Sequence, residues 1–219
     1  MLNVILMGPP GAGKGTQAKK IIAAYDIPHI STGDMFREAM KAGTTMGKMA
    51  AAYINRGDLV PDEVTIGLVR ERLSQPDCQR GYLLDGFPRT LPQAEALDRL
   101  AADIGRPVNA VIDFTAERNE LIRRITGRRV CSQCGTPYHV DTMKPKADGV
   151  CDVCGGPLIQ RKDDNYDALV IRLDHYETAT KPLIAFYEEK GLLRRVDGLL
   201  EVAALFEKIK VIFAEVDRR

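Results

Sequence analysis

A parallel α/β sheet covered by helices on both faces is what this sequence predicts, on three observations. Short apolar runs alternate with longer stretches of helical periodicity. One of those runs, Asn109-Ala110-Val111-Ile112-Asp113-Phe114, is apolar almost throughout, as suits a strand buried on both faces. The first run, residues 2–7, breaks directly into Gly8-Pro9-Pro10-Gly11-Ala12-Gly13-Lys14-Gly15-Thr16, a strand, a glycine-rich loop and a helix start.

The elements follow in order. Strands are expected at 2–7, 28–31, 81–85, 108–114 and 193–197, which makes the parallel sheet five-stranded. After the glycine-rich loop, Ala18, Ile21, Ile22 and Tyr25 recur at helical spacing. Further helices are expected over about 61–74, 90–103, 117–126, 164–190 and 199–216. Two segments break the alternation. Residues 31–60 look helical without a strong strand. Residues 128–164 hold four cysteines, several glycines and prolines, and short β-like runs such as Tyr138-His139-Val140. Both read as inserted, mobile subdomains on a core made of 1–30, 61–127 and 165–219. Loops at the carboxyl ends of the strands should carry the site.

Bulk properties exclude several classes. The chain has 219 residues, 45% hydrophobic and 28% charged, with net charge +1. Nothing in that balance draws it to nucleic acid or to an anionic membrane. No apolar run has the length of a bilayer span, and the six-residue opening run lacks the basic flank of a secretory signal. A cytoplasmic protein is expected, and a monomer, since no stretch marks an oligomer interface.

The spacing Gly8-x4-Gly13-Lys14 is that of the phosphate-binding P-loop, so the expected fold is that of the P-loop NTPases. Glycines let the backbone close around an anion, and the helix start aims N–H groups and a positive dipole at it. Lys14 adds a charge that can follow a phosphoryl group in transit. Gly15 departs from the pattern: the hydroxyl comes one position later, at Thr16.

The cysteines form a second pattern. Cys131-Ser132-Gln133-Cys134 and Cys151-Asp152-Val153-Cys154 are 16 residues apart, within the range of a four-cysteine zinc site. Four protein ligands leave no open position, so such a zinc is structural. Iron at the same ligands, or disulfides in an oxidising compartment, are the alternatives. A zinc ribbon can also serve nucleic acid. Between Gly127 and Asp164, however, six Lys/Arg face five Asp, which is no basic patch. His139 and Cys78 read as structural residues.

Three further motifs make the reading specific. Asp85-Gly86-Phe87-Pro88-Arg89 ends the third strand, Ser31-Thr32-Gly33-Asp34-Met35-Phe36-Arg37 follows the second, and Gly127-Arg128-Arg129 opens the cysteine segment. With the Gly15-Thr16 ending of the loop, this set resembles the adenylate kinase family over essentially the whole chain. The cysteine insertion looks like the zinc-bearing lid of long-lid bacterial members.

The resemblance implies an activity, ATP + AMP = 2 ADP with Mg2+, and roles for residues. Gly11, Ala12, Gly13, Lys14, Gly15 and Thr16 would hold the ATP phosphates, with Arg124, Arg128, Pro137, Tyr138 and Leu200 also on the ATP side. Thr32, Arg37, Asp58, Leu59, Val60, Gly86, Phe87, Pro88, Arg89, Gln93, Arg161 and Arg172 would form the AMP side. Lys14, Arg89, Arg128, Arg161, Arg172 and Asp85 would be catalytic, with Asp85 supporting Mg2+. Cys131, Cys134, Cys151 and Cys154 would hold Zn2+. Arginine forks suit phosphate, and in-line transfer needs neutralised repulsion, alignment and exclusion of water rather than a base. Arg124 and Arg128, four apart, would share one face of a helix reaching the lid. Asp163-Asp164 read either as a hinge or lid-pairing element or as a surface turn. The rival readings are a UMP/CMP kinase, which the long lid, Thr32 and Gln93 argue against, and a nucleic-acid-binding zinc-ribbon ATPase. The ATPase would need a basic surface and a hydrolytic glutamate beside Asp85. A nucleotide switch without catalysis would not need so many arginines.

Overall fold

The computed structural model describes residues 1–216; positions 217–219, the end of the expected core segment, lie outside the described residues. In chain order the elements are β1 (Leu2–Met7), α1 (Lys14–Tyr25), β2 (His29–Ser31), α2 (Thr32–Lys41), α3 (Thr45–Ile54), α4 (Asp62–Leu73), β3 (Gly81–Asp85), α5 (Leu91–Asp103) and β4 (Ala110–Thr115). Then come α6 (Arg118–Thr126), β5 (Arg128–Cys131), β6 (Pro137–His139), β7 (Leu158–Ile159), α7 (Tyr166–His175), α8 (Leu183–Glu189), β8 (Leu193–Asp197) and α9 (Val202–Val216).

Five strands pair in parallel in the order β2-β3-β1-β4-β8, as the apolar runs predicted. Their side chains alternate between two cores. Val4, Leu6, Leu83, Ala110, Ile112 and Phe114 face α1, α6, α7 and α9 through residues such as Ile21, Leu121, Leu169 and Ile209. Ile5, Met7, Tyr82, Leu84 and Val111 face α4, α5 and α8 through Val69, Leu97 and Leu183. Because both faces are covered, both alternate sets must be apolar, and period-two patterning disappears from the sequence.

The first insertion is the helical pair α2–α3. Ser31 caps α2 by accepting from the Asp34 N–H, and Thr44 caps α3 by accepting from the Gly47 N–H. Its own core is small: Phe36, Ala50 and Val60. The second insertion is an antiparallel sheet in the order β6-β5-β7.

One expected helix is divided. The stretch 164–190 runs as α7, then a π turn over Tyr176–Thr180, then α8. Pro182 stands at the junction, where it offers no N–H to the helical ladder.

Candidate active site

A cavity of about 1160 Å³ opens at the carboxyl end of the parallel sheet, roofed by the two insertions. That exceeds the ~300–1,000 Å³ of a single small-ligand pocket and gives room for two nucleotides. Its floor is the loop between β1 and α1. The loop can lie against β4 only because Gly8 has no side chain: its φ is +133, and a Cβ there would sit 2.5 Å from the Phe114 carbonyl. Lys14 begins α1 and folds back over the loop, donating to the Gly8 carbonyl at 2.7 Å and the Pro9 carbonyl at 2.9 Å. Burial pushes its ammonium down to about 8, against the pull of Asp85. Gly11, Gly13, Gly15 and Thr16 line the cavity with it. Ala12 does not; its side chain is fully buried in the α1 core. A Cβ at Gly15 would meet only Asp85 Oδ2, at 3.9 Å, so packing alone does not exclude a side chain there.

Asp85 closes the floor at the end of β3. Burial would raise its carboxyl, but the neighbouring His29 imidazole and the charge of Lys14 hold it below the usual range. His29 Nε2 lies 3.4 Å away. A buried, ionised carboxylate beside a lysine and a phosphate loop is a donor set that fits Mg2+.

Arginines converge from several segments. Arg89, Arg128, Arg161 and Arg172 all line the cavity with Arg37. Burial, then the charge of Arg172, pushes Arg89 down to about 10; burial, then Arg37, does the same to Arg161. Carboxylates hold this cationic crowd in place. Asp34 Oδ1 accepts from Arg37 at 2.7 Å and from Arg161 at 3.4 Å. Asp164, fully buried, takes both Nε and Nη2 of Arg128, and Arg172 Nη1 lies 3.5 Å from it. Arg172 also reaches Asp163 Oδ2 at 3.1 Å. Of the two expectations for Asp163-Asp164, the surface turn fails: both residues are buried and pair with the arginines.

On the α2–α3 side, Thr32, Asp58, Leu59, Val60, Gly86, Pro88 and Gln93 line the cavity. Phe87 does not, being 1% exposed within the α5 core, and the Phe87–Pro88 peptide is cis. Thr32 donates to the Gly86 carbonyl at 2.9 Å. Gln93 is an internal brace: its Oε1 accepts from the Arg89 N–H at 2.8 Å and its Nε2 donates to Asp62 at 2.7 Å. Asp58 approaches His175 at 3.3 Å, tying the end of the insertion to α7.

On the other side, Arg124, Pro137, Tyr138 and Leu200 line the cavity. The expected common helix face for Arg124 and Arg128 is absent. The helix ends at Thr126, Gly127 caps it, and Arg128 leaves on an extended strand. Arg124 instead donates to Glu120 at 3.2 Å and to the Gly198 carbonyl at 2.8 Å, next to Leu200.

The four cysteines come together. Their Sγ atoms lie within 4.8 Å of one another, with Cys131–Cys154 at 3.4 Å and Cys134–Cys151 at 3.6 Å. Sulfurs at the corners of a zinc tetrahedron stand about 3.8 Å apart, given Zn–S near 2.3 Å. All five cysteines are free thiols, so the disulfide alternative fails. His139 is outside the cluster, its ring turned to the Arg123 carbonyl, and Cys78 is buried against Arg72.

The sequence reading passed over several residues the site uses. Asp34 sits three before Arg37, a spacing that could have revealed their pairing. His29, Asp62 and Lys19, which donates to the Gly135 carbonyl at 3.1 Å, carry no local signal.

Comparison with known proteins places this architecture. A model described as adenylate kinase matches residues 6–192. The chain is 54% identical to an adenylate kinase of Geobacillus sp. (strain WCH70) over 209 residues, 95% of this chain and 97% of that protein. It is 54% identical to adenylate kinases of Carboxydothermus hydrogenoformans over 209 residues (95% and 98%) and of Bacillus cereus (strain B4264) over 211 (96% and 98%).

Proposed function

The chain belongs to the adenylate kinase family, and we propose on that footing how its own residues carry out the reaction ATP + AMP = 2 ADP. The chemistry to be managed is the approach of two polyanions. The AMP phosphate oxygen is already nucleophilic, so no base is required. What must be supplied is charge, alignment and dryness.

The loop from Gly11 to Thr16 cradles the ATP phosphates, and Lys14 tracks the γ-phosphoryl group between donor and acceptor. Arg37 and Arg89 hold the AMP phosphate from the α2–α3 side. Arg128, Arg161 and Arg172 close over the transferred group. Arg124 and Leu200 border the ATP base and sugar. Thr32, Asp58, Leu59, Val60, Gly86, Pro88 and Gln93 shape the AMP pocket. Phe87 and Ala12 serve through their backbone. Residues 31–60 and 128–164 act as two covers. Asp85 would support the Mg2+ that travels with ATP; when bound, that ion offsets negative charge on the phosphates.

The observation that carries this reading is the convergence of Lys14 with Arg37, Arg89, Arg128, Arg161 and Arg172 on one cavity of about 1160 Å³. The four thiols would hold one structural Zn2+, completing a subdomain whose own buried cluster is small: Cys131, Tyr138 and Cys151, with Leu158 packed against them. We read the protein as a monomer, since no stretch of the sequence marks an oligomer interface. No helix among the described residues is long and apolar enough to cross a membrane, and the free thiols suit the cytoplasm.

The test is to incubate the protein with Mg2+ and ADP alone. ATP and AMP should appear in equal amounts. Phosphate release from ATP, with no conversion of ADP, would overturn the proposal.

A further inference from the structure

The four thiols are not equally surrounded. Thr136 and Tyr138 are two residues apart on the chain entering and forming β6, so their side chains share one face of it. That face looks at the sulfurs. Thr136 Oγ1 lies 3.1 Å from Cys134 Sγ, in the first cysteine pair. Tyr138 Oη lies 3.5 Å from Cys151 Sγ, in the second. The direction of the tyrosine proton is determined. The Asp152 N–H donates into Tyr138 Oη at 2.7 Å, so the phenol must spend its own hydrogen elsewhere, and the sulfur is the acceptor at hand. Tyr138 is 6% exposed.

We propose that Thr136 and Tyr138 are the positioning residues of the metal centre, one hydroxyl per cysteine pair. This rests on the reading of the cysteines as a zinc site. Four thiolates around a divalent ion leave an excess of two negative charges on the cluster, with Cys131 and Cys151 buried and Cys134 and Cys154 exposed. Each O–H···S bond draws some of that charge off the sulfur and fixes the direction in which its lone pairs point. Tyr138 does more than Thr136. It reaches across from one cysteine pair to the other, and its ring borders the nucleotide cavity. One side chain therefore both walls the nucleotide cavity and donates to a metal-binding sulfur.

The test is metal release. The zinc-loaded parent, Tyr138→Phe and Thr136→Val proteins are mixed with an excess of the chromogenic chelator 4-(2-pyridylazo)resorcinol, and bound zinc is counted beforehand. Outer partners of metal ligands are typically worth about 10–100-fold in affinity. Tyr138→Phe should release zinc at least tenfold faster than the parent, with a smaller acceleration for Thr136→Val. Phenylalanine keeps the ring, so folding is not at issue, and far-ultraviolet dichroism of the loaded variant checks it. A parent that binds one zinc and a Tyr138→Phe variant that loses it no faster would overturn this proposal alone. A parent that binds no zinc would overturn the zinc reading and this proposal with it.

Discussion

The Arg161 guanidinium meets Asp34 Oδ1 at 3.4 Å, joining residues 127 positions apart that lie in the two different insertions. The same oxygen holds Arg37 at 2.7 Å. On the phosphate-binding roles proposed for Arg37 and Arg161, Asp34 is a placeholder that would keep the two insertions together until an anion takes its partners. The contact is partly exposed, so it is worth at most about 1 kcal/mol, or roughly a fivefold bias in population. Asp34→Ala should therefore enlarge the radius of gyration of the nucleotide-free protein in solution scattering. A bound bisubstrate inhibitor should restore the parent value. An unchanged radius without nucleotide would show that other contacts keep the covers closed.

Asp164 plays the same part inside the protein, and there the stakes are higher. It is fully buried and satisfies Arg128 through two hydrogen bonds. Removing one member of a buried pair leaves its partner's charge stranded, at a cost of about 3–5 kcal/mol. Asp164→Ala should lose that much in denaturant unfolding. Nucleotide should recover part of it, since phosphate can replace the lost carboxylate. The rise in unfolding temperature on adding a bisubstrate inhibitor is thus expected to be larger in the variant than in the parent. Equal rises would mean that Arg128 does not face the phosphates.

Lys14 makes the pH dependence specific. Burial lowers its ammonium to about 8 in the nucleotide-free protein. Above that pH the free enzyme loses the charge that phosphate seeks, so kcat/KM should fall with a single proton near 8. Bound phosphates raise the same group, so kcat should hold to higher pH. For stability the sign is the opposite. Between 8 and the ordinary lysine value the unfolded chain binds more protons than the folded one, and stability from this group rises with pH across that window. Below 8 burial of the charged group opposes folding in full. The unfolding free energy of the parent relative to Lys14→Met should therefore increase from pH 8 to 10.5. A flat difference would mean that Lys14 is solvated in the folded state.

How much of this was legible follows from where the information lies. β1, β3 and β8 could be read to the residue because each apolar run is short and sharply bounded. Lys14, Arg89 and Arg128 could be read because each sits in a motif whose spacing reflects a single loop. The cysteine pairs were legible for the same reason. The division of the helix over 164–190 was not anticipated, although Pro182 marked it, because helical periodicity continued on both sides. The shared helix face of Arg124 and Arg128 failed because the reason for the turn at Gly127 lies in His139, twelve positions on, packed against it through tertiary structure. Asp62 as the holder of Thr90 and Gln93, and Arg161 as the second partner of Asp34, were beyond local reading. These partners come from remote segments, and the pairing expected of Asp163-Asp164 named no arginine, because a lone aspartate in a sequence does not say which charge it meets.

That turn carries the last prediction. His139 Nε2 lies 3.2 Å from the Arg123 carbonyl, which requires a proton on Nε2. Its Nδ1 accepts from the Asp141 and Thr142 N–H groups at 3.1 and 3.3 Å. Both nitrogens are thus used, one on the end of α6 and one on the turn after β6, so the ring pins the lid to the core. Gly127 is what lets it in: a Cβ there would stand 2.3 Å from Nε2. The Gly127 carbonyl meanwhile accepts from the Val140 N–H at 3.0 Å. Gly127→Ala must therefore displace the imidazole and loosen that turn, at a cost of about 1–3 kcal/mol for overpacking. Local opening of the turn should become about 10–100-fold more frequent. Amide hydrogen exchange should speed up by that factor at Val140, Asp141 and Thr142, while Val4 and Ile5 in the central strand keep the parent rate. Acceleration spread evenly over both regions would mean that Gly127 supports the whole fold, and no acceleration would mean that His139 pins nothing.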